Sequence, residues 1–103
     1  GVEVLKEPNQ DYFSNHWLTA IFINEKSRKS AEDLRIILEA SNIESRPLWK
    51  PMHMQPIFSK APYYGGKVSE TLFSNGLCLP SGSNLKDGDL ERIKEKLESF
   101  FDK

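Results

Sequence analysis

"WLTAIFIN", residues 17–24, decides the fold. Written out with a period of two, Trp17, Thr19, Ile21 and Ile23 share one face, and Leu18, Ala20 and Phe22 share the other. Both faces are largely apolar, so the segment is expected to be a strand covered on both sides, with Trp17 buried. A polar connection, "NQDYFSNH" at 9–16, leads into it, and a charged turn at 25–29 leads out. Further upstream, "VEVLK" at 2–6 is short and β-rich and ends at Pro8.

The segment that follows has helical spacing. In "SAEDLRIILEASN", Ser30 can accept from backbone N–H groups of a first turn, and Asp33 stands three residues on, as in a capping box. Leu34, Ile37, Leu38 and Ser41 keep the i, i+3, i+4, i+7 rhythm of a buried stripe. Asn42 suits a left-handed stop. A helix over 30–41 is predicted. Two more helices are expected. "KVSETLFSN" at 67–75 would turn Val68, Leu72 and Phe73 inward and stop at Gly76. The last, about 87–101, aligns Leu90, Ile93, Leu97, Phe100 and Phe101 against a face of Glu, Lys, Arg and Asp. "LCL" at 77–79 reads as a short buried strand between them. Strands alternate with helices, so the fold class is α/β: a two-layer α+β sandwich with a small sheet of short strands and about three helices. Residues 1–103 make one domain, since a chain of this length supports a single core.

Composition removes several functions. Fourteen Lys+Arg balance 15 Asp+Glu and the pI is about 6.1, so no global field exists to hold nucleic acid. No apolar run approaches the roughly 20 residues of a membrane span, and no signal-peptide pattern is present. Cys78 is the single cysteine. It cannot form an internal disulfide, which fits a reducing, cytoplasmic setting. His16, His53 and Cys78 lack the spacing of a metal site. Between two leucines, Cys78 suits core packing better than nucleophilic chemistry.

"RPLWKPMHMQPIF", residues 46–58, remains. Its prolines forbid a long helix or a central strand, yet it is too apolar for an ordinary solvated loop. Extended, it would place Arg46, Leu48 and Lys50 on one side and Pro47, Trp49 and Pro51 on the other, with Trp49 packed on the domain. Pro51 can open a helical turn that holds His53 near backbone N–H groups. Arg46, Lys50 and His53 would then form a proline-stiffened ledge for a phosphate, a diphosphate or a carboxylate. The same residues can equally be surface charges beside an incidental histidine.

"SRPLWKPMHMQPIF", "YYGG" and "VSETLFSNGLCLPSGSNLKDGDLERI" together resemble the C-terminal part of the DegT/DnrJ/StrS-type sugar aminotransferases, over roughly residues 14–101. These are fold-type-I enzymes that depend on pyridoxal phosphate. The resemblance implies that this chain is the small domain of such an enzyme. The parent would move an amino group, usually from glutamate, to a ketone on a nucleotide-linked sugar, in the synthesis of amino sugars and polysaccharides. It would act as a homodimer with no nucleic-acid or membrane partner. By the same resemblance His53 borders the cofactor and substrate pocket, and Arg46 and Lys50 lie on the pocket-facing segment. The Schiff-base lysine belongs to a large domain whose motifs are absent here. The isolated chain is therefore expected to bind no cofactor and to be inactive, with no catalytic residue of its own. A stand-alone module binding an anionic metabolite or a peptide is the alternative, and a small α+β regulatory or RNA-binding domain using Tyr63, Tyr64 and the nearby lysines is a third reading, which the near-neutral charge opposes.

Overall fold

The computed structural model describes residues 1–102. Four strands form one antiparallel sheet: β1 (Val2–Val4), β2 (Thr19–Ile23), β3 (Arg46–Pro47) and β4 (Gly76–Leu79), in the order β1-β2-β4-β3. Three α-helices accompany them: α1 (Ala31–Ala40), α2 (Val68–Asn75) and α3 (Asp87–Phe101). The expected α/β class is what forms. The inserted strand, β4, is the last in sequence, and it separates β2 from β3. Both neighbours run antiparallel to β4, so β2 and β3 are parallel to each other across it, joined by α1.

β2 and β4 are central because they carry the most apolar short runs. Their register pairs Ile21 with Leu77 and Ala20 with Cys78. Ile21, Ile23 and Leu77 are buried with Ala31, Leu34, Leu38 and Ile43 of the α1 unit and Ile93 and Phe100 of α3. The opposite face, with Ala20, Phe22 and Cys78, is less completely covered. Strand β2 therefore differs from expectation in its less covered second face and in its start. It starts at Thr19, and Trp17 lies before it, 67% exposed. The strand is shorter than its apolar run because Asn15 and Ser81 take its leading backbone: the Trp17 N–H donates to Asn15 Oδ1 and the Thr19 N–H to Ser81 Oγ.

Helix α1 begins as its sequence dictates. The Ser30 hydroxyl accepts from the Asp33 N–H at 3.1 Å, and the Asp33 carboxylate accepts from the Ser30 N–H at 3.2 Å. It ends on Asn42, whose φ of 56° lies in the left-handed region. The Asn42 N–H donates to Glu39 O and the Ile43 N–H to Leu38 O, the paired bonds of a Schellman stop. Ile43 and Leu38, joined by that bond, both enter the core. Ile37 does not: it is exposed, as are Val68 at the start of α2 and Leu90 in α3. Ile37 and Val68 sit at the edges of their predicted stripes, and Leu90 lies in the first turn of its helix.

Candidate functional site

Pro47 is tolerated in β3 because β3 is an edge strand, where a missing N–H costs no central ladder bond. Arg46 pairs with Cys78 and Pro47 with Leu77. At the next two residues the expected facing is exchanged, while Lys50 is exposed and Pro51 buried as expected. Leu48 is buried at 8% exposure, and Trp49 is 63% exposed. The reason is Gly76, which has no side chain and leaves room for Leu48 to press against its α-carbon. The larger indole then turns outward, where it meets Trp17 with ring centroids 5.9 Å apart at 45°.

After buried Pro51 the chain makes two single 3₁₀ turns, Met52–Met54 and Pro56–Phe58. In the first, the Met54 N–H donates to Pro51 O and the Gln55 N–H to Met52 O. A turn of three residues whose next two N–H groups are already engaged is too short to be the anion-collecting helix start that the sequence suggested. What the turn does is fix the backbone of His53.

The His53 ring is held on two sides. Its Nε2 lies 2.8 Å from Glu70 Oε1, a residue of the first turns of α2. Its face stacks on Tyr63, with centroids 3.9 Å apart and planes at 27°. The Tyr63 hydroxyl in turn donates to the Gly66 carbonyl, closing the loop that carries it. His53 lines a hollow of about 500 Å³ with Pro51, Met52, Phe58, Tyr63 and Tyr64.

Arg46 lines a different space, a cleft of about 640 Å³ whose walls include Trp17, Trp49, Cys78 and Leu85. Its guanidinium is 2.6 Å from Glu44, so its charge is locally balanced, in an exposed pair. Ser45 lines this cleft too, and its Oγ is the one buried side-chain polar atom without a hydrogen-bond partner among the described residues. Cys78 is buried, and burial pushes its thiol up, away from the reactive thiolate. Lys50 is exposed and lines neither hollow. The three residues expected on one ledge therefore lie along one segment without converging on one point within this chain.

Glu70 was not among the expected site residues, and Tyr63 entered only through the RNA-binding reading. Glu70 is 17 positions from His53, joined to it through two turns and a loop, so no spacing rule connects them. Among the described residues no group of three His, Cys, Asp or Glu side chains gathers to hold a metal, and no helix is long and apolar enough to cross a membrane.

A model of the DegT/DnrJ/EryC1/StrS aminotransferase family matches residues 1–98. The chain belongs to this family. EpsN of Bacillus subtilis (strain 168), named as a pyridoxal phosphate-dependent aminotransferase, is 44% identical over 92 residues, which cover 85% of this chain and 23% of EpsN. GDP-perosamine synthase of Vibrio cholerae is 30% identical over 101 residues, 97% of this chain and 27% of that enzyme. The fold is that of the aminotransferase TlmJ from Streptoalloteichus hindustanus over 96% of this chain and 26% of TlmJ, with a TM-score of 0.76 at 16% identity. This chain spans about a quarter of the length of the curated relatives it matches.

Pyridoxal phosphate, which the family implies, needs a lysine in a desolvated pocket. Among the described residues no lysine is buried, and no charged side chain belongs to the core. Lys29, one of the less exposed, already gives its ammonium to the Phe100 carbonyl and lies 5.1 Å from that ring's centroid. The residues of this chain do not fit the cofactor's anchoring site.

Proposed function

We propose that residues 1–103 are the C-terminal small domain of a pyridoxal phosphate-dependent aminotransferase. The whole enzyme transfers an amino group, with glutamate as donor, to a keto sugar linked to a nucleotide, for amino-sugar and polysaccharide synthesis. It works as a cytoplasmic homodimer. The observation that carries this reading is the family match over residues 1–98, in a chain that spans about a quarter of its relatives. The likeness to GDP-perosamine synthase supports the sugar substrate. The comparisons lend nothing to a stand-alone binding module.

In this reading the cofactor lysine belongs to the remainder of the protein, and bound pyridoxal phosphate supplies the electron sink for amino transfer. The part played by this chain is a wall. His53, fixed by its turn, by Glu70 and by Tyr63, offers a hydrogen-bonding nitrogen at a set angle. Arg46 and Lys50 contribute positive charge along the same segment, and Arg46 can exchange Glu44 for an anionic ligand at small cost because that pair is exposed.

The test compares two proteins. The 103-residue chain mixed with pyridoxal phosphate is expected to give no cofactor absorbance band and no amino transfer. The longer protein that ends in this chain is expected to give both with glutamate and a nucleotide-linked keto sugar. A stoichiometric, borohydride-trapped adduct at one lysine of the short chain, with turnover, would overturn the reading.

A further inference from the structure

Glu70 is the side chain that the wall does not by itself explain. It stands in the first turns of α2, is partly exposed, and directs Oε1 at His53 Nε2 from 2.8 Å. An ionised carboxylate only accepts, so the hydrogen of this bond sits on Nε2. That settles which nitrogen is left over. Nδ1 has no hydrogen-bond partner among the described residues and is not sealed from solvent. Tyr63 covers one face of the ring, and the 3₁₀ turn fixes its backbone. A half-turn of the imidazole about χ2 would put Cε1 where Nε2 stands and so lose the Glu70 bond, and the angles on the way would break the Tyr63 stack.

We infer that Glu70 is a positioning residue for His53: it holds the ring so that Nδ1, and not Nε2, meets the ligand. Tyr63 is the second clamp. Histidines that bind metals are oriented through their far nitrogen in the same way, by an outer carboxylate. Here the object of the orientation is a polar group of the substrate or cofactor. The inference rests on the reading that His53 faces the pocket, but the clamp itself can be measured without activity.

Two measurements separate these claims. In the 103-residue chain, the His53 ring protons should carry an upfield ring-current shift from Tyr63. Glu70→Ala should move them towards free histidine. Glu70→Gln, which is isosteric and keeps an acceptor oxygen, should largely preserve them. If the shift is unchanged in Glu70→Ala, the clamp does not depend on Glu70 and the proposal falls, whatever the activity. In the longer enzyme, Glu70→Ala should lower kcat/KM by roughly tenfold or more, the scale of one hydrogen bond to a charged group. Glu70→Gln should retain more activity than Glu70→Ala. In a His53→Ala background, Glu70→Ala should have no further effect, because a residue that acts through another is silent once that other is gone. Additive losses would overturn positioning in favour of a merely structural glutamate. A clamp seen in the spectra beside a His53→Ala enzyme of full activity would overturn the pocket reading and the positioning role with it, leaving the clamp as a fold feature.

Discussion

Gly76 and Leu48 pack so closely that a Cβ built on Gly76 would lie 2.2 Å from Leu48 Cδ1. The same atom would lie 2.5 Å from the Leu72 carbonyl oxygen, which is backbone and cannot swing away. The contact joins the central strand β4 to the segment that carries His53 and to the helix that carries Glu70. Gly76 has an extended backbone, with φ at −105°, so it is present for space and not for a left-handed turn. It is the expected stop of α2, whose C-cap it forms, and at the same time the first residue of β4.

Gly76→Ala is therefore expected to destabilise the chain by about 1–3 kcal/mol or more, the usual cost of overpacking. Urea denaturation followed by fluorescence measures this. A cost near zero would mean that α2 and Leu48 can retreat without loss, and that the spacing between His53 and Glu70 is not set by this contact.

Leu38 and Trp17 should behave oppositely under truncation. Leu38 is fully buried against the sheet and takes part in the helix stop. Leu38→Ala should cost about 2–5 kcal/mol through lost burial and the cavity left behind. Trp17, exposed and in contact with Trp49, should cost only about 0.5–1.5 kcal/mol, the scale of an aromatic pair. Equal costs for the two would place Trp17 in the core after all.

The contrast shows what the residues alone could carry. The α1 unit was legible because both its ends are written within a few residues: Ser30 with Asp33, and Asn42 as a left-handed stop. Strand β2 was legible as a short continuous apolar run, though not its start, since Asn15 and Ser81 hold the backbone before it. The facing of Leu48 and Trp49 was not legible. It depends on a glycine from a strand nearly thirty residues later, and periodicity alone has no preference between the two faces. The Arg46, Lys50 and His53 segment stood out by composition, but its partners Glu70 and Tyr63 come from tertiary structure.

Asp33 gives a pH test. Hydrogen bonds from the Ser30 side chain and then the Ser30 backbone hold its carboxyl below the ordinary value of 3.8. A folded value lower than the unfolded one means that the carboxylate stabilises the fold above the unfolded value, and that this contribution is lost as pH falls through the folded one. The stability difference between the parent chain and Asp33→Asn should be constant between about pH 5 and 7 and shrink below about pH 4. Denaturant midpoints at several pH values measure it. A difference that grows on acidification would assign the helix start to something other than the ionised capping box.

His53→Ala tests the wall directly. In the longer enzyme it should reduce amino transfer while leaving the fold of this domain intact, because the ring is on the surface of the core and not in it. One lost hydrogen bond to a charged group is worth about 1.5–3 kcal/mol, or roughly 10- to 150-fold in kcat/KM. On the proposed reading a binding and orienting role is expected in preference to proton transfer, which that reading gives to the cofactor lysine outside this chain. Lys94→Ala is the control. Lys94 lies on the outer face of α3, pairs with Glu91 at 3.3 Å, and is exposed. It should change nothing. The comparison should be made at several pH values between about 6 and 9. If His53→Ala matches the parent throughout that range, the segment 46–58 is scaffold, and the stacking of His53 on Tyr63 serves the loop and not the ligand.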